Sequence, residues 1–248
     1  MLNNIRIGTK LASSFVSCAF GLVAVSAVAN DLPFSNAVAT YEQNYGPGLW
    51  PAISMLDGDT SSQLNGWAIF RKDNEDQGLD PTLSESALFM LTTPLATGHQ
   101  VLEFKIYQNY GASHRLGDFS LSYTTDSLPT LSSTDTLVTI NNVSSPGVTF
   151  DFSSPGQILA SSSGPSKATY TIAASLDSAT PVTAFFLHAI NDPNGGPHPT
   201  GGPGVFANGN FVVTEFTVAA VPEPETYVML LAGLGLLGFI ARHRKENT

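Results

Sequence analysis

The sequence predicts an all-β fold, a jelly-roll-like β-sandwich, for residues 30–220. Charged residues make up only 12 % of the chain, Ser, Thr, Gly and Asn are abundant, and long helix-forming runs are missing. Apolar Leu102, Phe104 and Ile106 alternate with polar residues, which is typical of a half-buried strand. Short apolar segments separated by turn residues recur along the chain, as they do in sandwiches.

The predicted strands follow one another between polar turns. A turn is predicted at 57–60, and polar or Gly/Pro-rich loops are predicted at 71–82 and 191–204. The strands are predicted at 38–43, 52–56, 66–70, 87–92, 100–108, 119–124, 136–140, 148–152, 157–159, 168–174, 182–190 and 211–218.

Residues 1–29 predict a cleaved signal peptide. Arg6 and Lys10 form a basic start, 11–25 is apolar, and Ala-Val-Ala at 27–29 is a cleavage site. Cys18, the single cysteine of the chain, is interpreted as part of this apolar region. The mature chain therefore has no cysteine, which excludes a disulfide framework and a cysteine zinc site.

The mature domain is strongly acidic. Residues 30–220 contain five basic and 17 acidic side chains, a net charge of −12. Nucleic acids and anionic lipids need basic patches, so the sequence predicts neither as a partner. This charge suits solubility outside the cell or the binding of divalent cations.

The tail at 221–248 predicts a membrane anchor. The run 226–241 carries no charged side chain and is the predicted transmembrane helix. A basic stop follows at Arg242, Arg244 and Lys245. Positive charge after the run places the C-terminus in the cytoplasm and the domain outside.

The start of the tail resembles a known sorting signal. Val221, Pro222, Glu223 and Pro224 form a rigid acidic hinge before the apolar run and the basic stop. This order resembles the PEP-CTERM sorting signal of Gram-negative bacteria. The resemblance implies an exosortase-type membrane protease as partner. It also implies anchoring in the inner membrane before processing, then release to the cell surface or extracellular matrix. An ordinary single-span anchor is the alternative.

The domain resembles the discoidin-type, galactose-binding-like jelly roll. The matching stretches are Asp-Gly-Asp at 57–59, Gly-Trp-Ala-Ile at 66–69, the segment 108–122, and Asn-Gly-Asn-Phe at 208–211 with the strand after it. The resemblance implies a β-sandwich that binds a glycan, such as an extracellular polysaccharide.

Asp57, Asp59 and Thr60 form an oxygen-rich turn. The resemblance implies that this turn holds a structural Ca²⁺, with Glu215 from the last strand as a further ligand. Ca²⁺ takes six to eight oxygens, including backbone carbonyls. The alternative is an Asx turn without a metal.

Tyr110, His114 and Arg115 form the candidate ligand-binding group, because they can stack on a sugar ring or bind an anionic sugar. The alternative is that they fix a loop by hydrogen bonds. No Gly-x-Ser-x-Gly, His-Glu-x-x-His or P-loop pattern occurs, so no enzyme is predicted. The sequence thus predicts an exported, glycan-binding surface or matrix protein. A structural or adhesive matrix protein and, less favoured, a secreted polysaccharide hydrolase are the alternatives.

Overall fold

A computed structural model shows a domain built almost entirely from antiparallel strands. It describes residues 29–44, 50–70, 83–191, 202–222 and 232–236. Most of the predicted signal peptide, the predicted loop 71–82 and most of the tail lie outside these residues. The strands are β1 (Asn30–Asp31), β2 (Phe34–Ala39), β3 (Trp67–Ala68), β4 (Glu85–Leu95), β5 (Gly98–Gln108), β6 (Asp118–Thr124), β7 (Thr136–Leu137), β8 (Thr139–Ser144), β9 (Phe150–Asp151), β10 (Gln157–Ala160), β11 (Ala168–Ser178), β12 (Val182–Ala189), β13 (Val212–Val213) and β14 (Glu215–Ala220).

Two main sheets face each other, so the predicted β-sandwich is confirmed. The first sheet has five strands in the order β1-β14-β5-β11-β8. The second has seven strands, ordered β2-β4-β12-β6-β10-β9, with β7 also paired to β6. A separate two-stranded sheet joins β13 to β3.

The core lies between the two main sheets. Phe104 of β5 meets Phe185 of β12 edge-on, with ring centroids 5.4 Å apart. Phe89 of β4 stacks on Phe216 of β14 at 4.0 Å. Pairs of this kind contribute about 0.5–1.5 kcal/mol each beyond the burial of their area. The aromatic contacts therefore hold the sheets face to face.

The alternation predicted around Phe104 is present in β5. Leu102, Phe104 and Ile106 are fully buried, and β5 pairs with β11 without interruption from Gln108↔Ala168 to Gly98↔Ser178. A one-residue slip would turn the whole apolar set to the other face, so the pattern fixes the register.

The strand predicted at 52–56 is wrong, because Ala52–Leu56 forms a 3-10 helix. Ala52 and Met55, three residues apart, are its buried side chains. A 3-10 helix has three residues per turn, so this spacing puts both on one face.

The single closing strand predicted at 211–218 is divided into β13 and β14. Thr214 lies between them, and its backbone N–H donates to the Tyr107 carbonyl at 2.7 Å. Gly66, at φ +136°, packs so closely on β13 that a Cβ would lie 2.1 Å from the Val213 carbonyl oxygen. The chain therefore changes sheets at Thr214, which a continuous apolar run does not reveal.

The two ends of the domain lie side by side. Asn30 pairs with Ala220 across β1 and β14, and Val221 donates its N–H to the Val101 carbonyl at 2.8 Å. The predicted start of the mature chain and the start of the tail thus lie at the same end of the five-stranded sheet. Residues 232–236 are helical, and no helix in the described part of the chain is long and apolar enough to cross a membrane.

Candidate functional site at one end of the sandwich

Several loops meet where β5 ends and β11 begins. The Asn109 amide donates to the Thr60 carbonyl at 2.5 Å, and Val205 donates its N–H to the Arg115 carbonyl at 2.8 Å. These bonds tie the predicted metal-binding turn and the predicted ligand loop to the Gly-rich loop before β13. We call this region the loop end; it comprises residues 57–66, 109–117, 161–167 and 202–210.

A row of aromatic rings lies on the loop end. Tyr110 and His114 meet edge-on at 4.8 Å, and His114 stacks on Phe206 at 3.9 Å. Trp50 supports Tyr110 from beneath at 5.6 Å and is itself 2 % exposed. Tyr110, His114 and Phe206 remain half-exposed, so parts of their rings are open to a ligand.

The backbone between Tyr110 and His114 is strained. Ala112 and Ser113 both adopt the left-handed conformation, with φ of 48° and 63°. Each such non-glycine residue costs on the order of 1–3 kcal/mol and persists only when its surroundings fix it. Ser113 is held by the Ser166 carbonyl at 3.2 Å. Strain of this kind is concentrated at functional sites, so this loop is a candidate site.

His114 presents a hydrogen-bond acceptor. Burial lowers the pKa of His114 below its usual value, so the imidazole is neutral at neutral pH. Its Nδ1 lies 3.1 Å from the Gly111 carbonyl and donates to it. The lone pair on Nε2 faces away from this bond and has no hydrogen-bond partner among the described residues, so it can accept from a hydroxyl group.

Arg115 lies beneath the surface, with 0 % exposure. Its Nη1 donates to the Tyr170 hydroxyl at 3.0 Å, and its Nη2 lies 3.3–3.4 Å from three successive carbonyls. Those carbonyls belong to Ser161, Ser162 and Ser163. The guanidinium thus fixes the 161–163 loop from inside and does not reach a ligand at the surface. Arg115 therefore has the loop-fixing role that was the alternative to ligand binding.

Glu215 is 3 % exposed, and its Oε2 has no hydrogen-bond partner among the described residues. Burial raises its pKa to about 8, and the charge of Asp57 and a hydrogen bond with that carboxylate add to the effect. The charge of the Asp59 carboxylate also raises the pKa of Glu215, by a smaller amount. The fold therefore brings three of the predicted metal-site residues into one neighbourhood.

The turn that carries these aspartates also forms local hydrogen bonds. Asp57 Oδ1 accepts from the Asp59 N–H at 2.8 Å. Asp59 Oδ1 accepts from the Ser61 hydroxyl at 2.7 Å and the Ser61 N–H at 2.9 Å, which lowers the pKa of Asp59. The predicted Asx-turn geometry and the acidic neighbourhood are therefore both present. Thr60 contributes its carbonyl to Asn109.

Among the predicted metal ligands, Asp57 and Glu215 are in direct contact. Their carboxylates adjoin, one Glu215 oxygen is orphaned, and a cleft of about 150 Å³ opens beside Glu215 and Gly58. Among the described residues, however, no three His, Cys, Asp or Glu side chains form a group that could hold a metal ion. Further ligands would have to be backbone or hydroxyl oxygens, which Ca²⁺ accepts.

Comparison with known proteins identifies a sorting motif in the tail. The PEP-CTERM protein-sorting motif matches residues 220–245, so the chain carries this motif at its C-terminus, as predicted. Val221 and Pro222 are described and follow β14 directly. Glu223, Pro224, Arg242, Arg244 and Lys245 lie outside the described residues. No curated protein sequence matches the chain.

Two solved structures are similar to the domain at low sequence identity. The family 32 CBM from C. perfringens NanJ in complex with galactose has 15 % identity and a TM-score of 0.41, and the match covers 77 % of this chain and 99 % of that chain. The family 32 carbohydrate-binding module from Streptococcus pneumoniae EndoD has 13 % identity and a TM-score of 0.40, covering 78 % of this chain and 100 % of that chain.

Proposed function

We propose that this protein is exported, processed at its C-terminal tail by an exosortase-type protease, and displayed at the cell surface or in the matrix as a glycan-binding domain. The sorting motif supports this proposal most strongly. It begins at residue 220, the last residue of β14 (Glu215–Ala220). The folded domain is therefore joined to the sorting tail without an intervening linker.

Replacement of the hinge prolines tests the sorting part. The double variant Pro222→Ala, Pro224→Ala keeps the apolar run and the basic stop, so export should continue. Removal of the tail should slow markedly, because the rigid hinge is lost. Intact mass of the membrane and released fractions measures the ratio of tail-bearing to tail-free protein. Pro155→Ala, at an exposed turn, is the control. A double variant processed as fast as this control would refute sorting through the hinge.

The aromatic row of the loop end supports glycan binding. Tyr110, His114 and Phe206 expose ring surface, on which the apolar face of a sugar ring can pack. The neutral imidazole supplies an acceptor for a sugar hydroxyl. This combination suits a neutral hydroxyl-rich face of a glycan better than an anionic group at the same position.

Binding of the purified mature protein to a glycan array tests the second part. Tyr110→Ala and His114→Ala should each weaken binding of the best array ligand about tenfold or more, equivalent to about 1.4 kcal/mol. His99→Ala is the matched control, since His99 lies at the opposite end of β5 and contacts Asp177. Binding should also weaken at acidic pH, below the usual range of a histidine pKa, when His114 protonates and loses its acceptor. A protein that binds no glycan would favour a structural or adhesive matrix protein. Variants that bind as the wild type does would refute the aromatic row as the binding site.

We also propose a structural Ca²⁺ held by Asp57 and Glu215, with Asp59 and Thr60 nearby. The orphaned, buried Glu215 oxygen beside a second carboxylate supports it. When bound, the cation would neutralise this pair and join the turn to the closing strand. It stabilises the loop end and takes no part in a reaction.

A further inference from the structure

A second concave region adjoins the aromatic row. Its volume is about 390 Å³, which lies in the usual range for small-ligand sites. Its lining residues come from the ends of β5 and β8 and from the start of β11. They are Asn109, Ser145, Pro146, Pro165, Lys167, Ala168 and Thr169.

Lys167 is the only charged side chain in this lining. It is exposed, and it forms no ion pair with any described carboxylate. Lys105, by contrast, binds Glu103 at 2.9 Å on the outer face of β5. A cation without a partner in a concave region has charge available for an anionic ligand.

The rest of the lining suits a sugar. The two prolines offer flat apolar surface, and Thr169 adds a hydroxyl group. Asn109 uses its Nδ2 on Thr60, which leaves its carbonyl oxygen to accept from a ligand. The hydroxyl of Ser145 is covered and has no partner in the described structure, so a χ1 rotation toward the pocket would give it one.

The pocket adjoins the loop that carries the aromatic row. A Cβ on Gly111 would lie 3.5 Å from Lys167 Cε, and the Ser113 N–H donates to the carbonyl of Ser166 at 3.2 Å. Lys167 therefore lies against the loop that carries Tyr110 and His114.

We propose that this pocket binds the carboxylate of an acidic sugar residue, a uronate, with Lys167 as its ion-pair partner. The proposal rests on glycan binding at the loop end and names the class of glycan. Arg115 is buried and His114 is neutral, so neither competes for this role. The acidic surface does not prevent it, because charges more than about 8 Å away are largely screened at physiological salt.

Calorimetry with two matched ligands tests the proposal on the mature protein. The ligands are trigalacturonate and its carboxyl-reduced product, a neutral galactose trisaccharide. The wild type should bind the uronate about tenfold more tightly than the neutral form, and less so at 0.5 M NaCl. Lys167→Gln should remove this preference. Lys105→Gln should behave as the wild type.

The outcomes separate this inference from glycan binding in general. If the wild type binds both trisaccharides equally, or if Lys167→Gln keeps the preference, the uronate subsite is refuted. Neutral binding that Tyr110→Ala abolishes would then leave the glycan proposal standing. If neither trisaccharide binds, the uronate subsite is refuted, and the glycan array alone decides whether the domain binds sugars.

Discussion

Glu215 lies where the chain leaves β13 for β14, and its carboxyl group is buried beside Asp57. Its pKa of about 8 lies far above its ordinary value of 4.5. The folded state therefore binds a proton that the unfolded state has released between these two values. In that interval folding loses stability as pH rises, by up to about 1.4 kcal/mol per pH unit.

We expect Glu215→Gln to remove this loss in metal-free buffer. The amide cannot ionise, so the free energy of unfolding of the variant should fall less between pH 5 and pH 8 than that of the wild type. Urea unfolding at both pH values measures the difference. Glu103→Gln, on the solvent face of β5, is the control and should follow the wild type. Equal slopes in all three proteins would show that Glu215 ionises normally.

At the scale of elements, the first part of the Ser-rich span 126–166 is fixed to the seven-stranded sheet. Asp135 Oδ2 lies 3.0 Å from His188 Nε2, and His188 Nδ1 lies 2.7 Å from the Ser86 hydroxyl. The Ser122 hydroxyl is 2.9 Å from the same Nε2. His188 on β12 thus joins β4, β6 and the segment 126–135, as a hydrogen-bonded structural histidine.

His188→Phe should free the segment 126–135. Phenylalanine keeps the ring stacking on Phe186 at 5.3 Å but removes the bonds to Asp135, Ser86 and Ser122. Losing the partner of the buried Ser122 hydroxyl costs about 1–3 kcal/mol. Hydrogen exchange should rise in 126–135 and stay unchanged in β5 and β11. The control is His99→Ala; exchange in 126–135 that matches this control would mean that other contacts hold the segment.

The limits of sequence-based inference follow from where each element obtains its stability. The alternation around Phe104 is local, so β5 was predictable. The pairing of β3 with β13 and the break at Thr214 depend on a separate two-stranded sheet that forms only in three dimensions. Arg115 reads as a surface residue, but it is buried by carbonyls about 50 positions further along the chain. Phe206 and Lys167 reach the loop end from distant segments, so no local spacing predicts them.

For the whole molecule, the positions of the two domain ends determine the orientation of the domain relative to the membrane before processing. Asn30 and Ala220 are paired neighbours, so the predicted membrane segments on either side start from one point. The loop end lies at the other end of β5, beyond Gln108. Under the proposed function, the ligand site therefore points away from the membrane.

The net charge of −12 over residues 30–220 makes a bound cation stabilising, and the proposed calcium site adds a local reason. Ca²⁺ that binds only the folded state contributes about 2.7 kcal/mol at a hundredfold excess over Kd. In a domain of this size, about 2–4 °C of Tm corresponds to each kcal/mol. Millimolar Ca²⁺ should therefore raise Tm at pH 7.5 by several degrees over chelator.

The response should be specific to the ion and to its ligands. Mg²⁺ should do less than Ca²⁺, because it requires near-ideal octahedral geometry and releases water reluctantly. Asp57→Asn and Glu215→Gln should each abolish the Ca²⁺ response, even though Glu215→Gln alone should raise Tm in chelator. Asp151→Asn changes an exposed aspartate that also accepts a turn hydrogen bond, from Ser153 at 3.0 Å, and should keep the full response. If wild-type Tm is the same in Ca²⁺ and in chelator, the Asp57–Thr60 segment is a turn without a metal, and the buried Glu215 stays protonated against Asp57 at neutral pH.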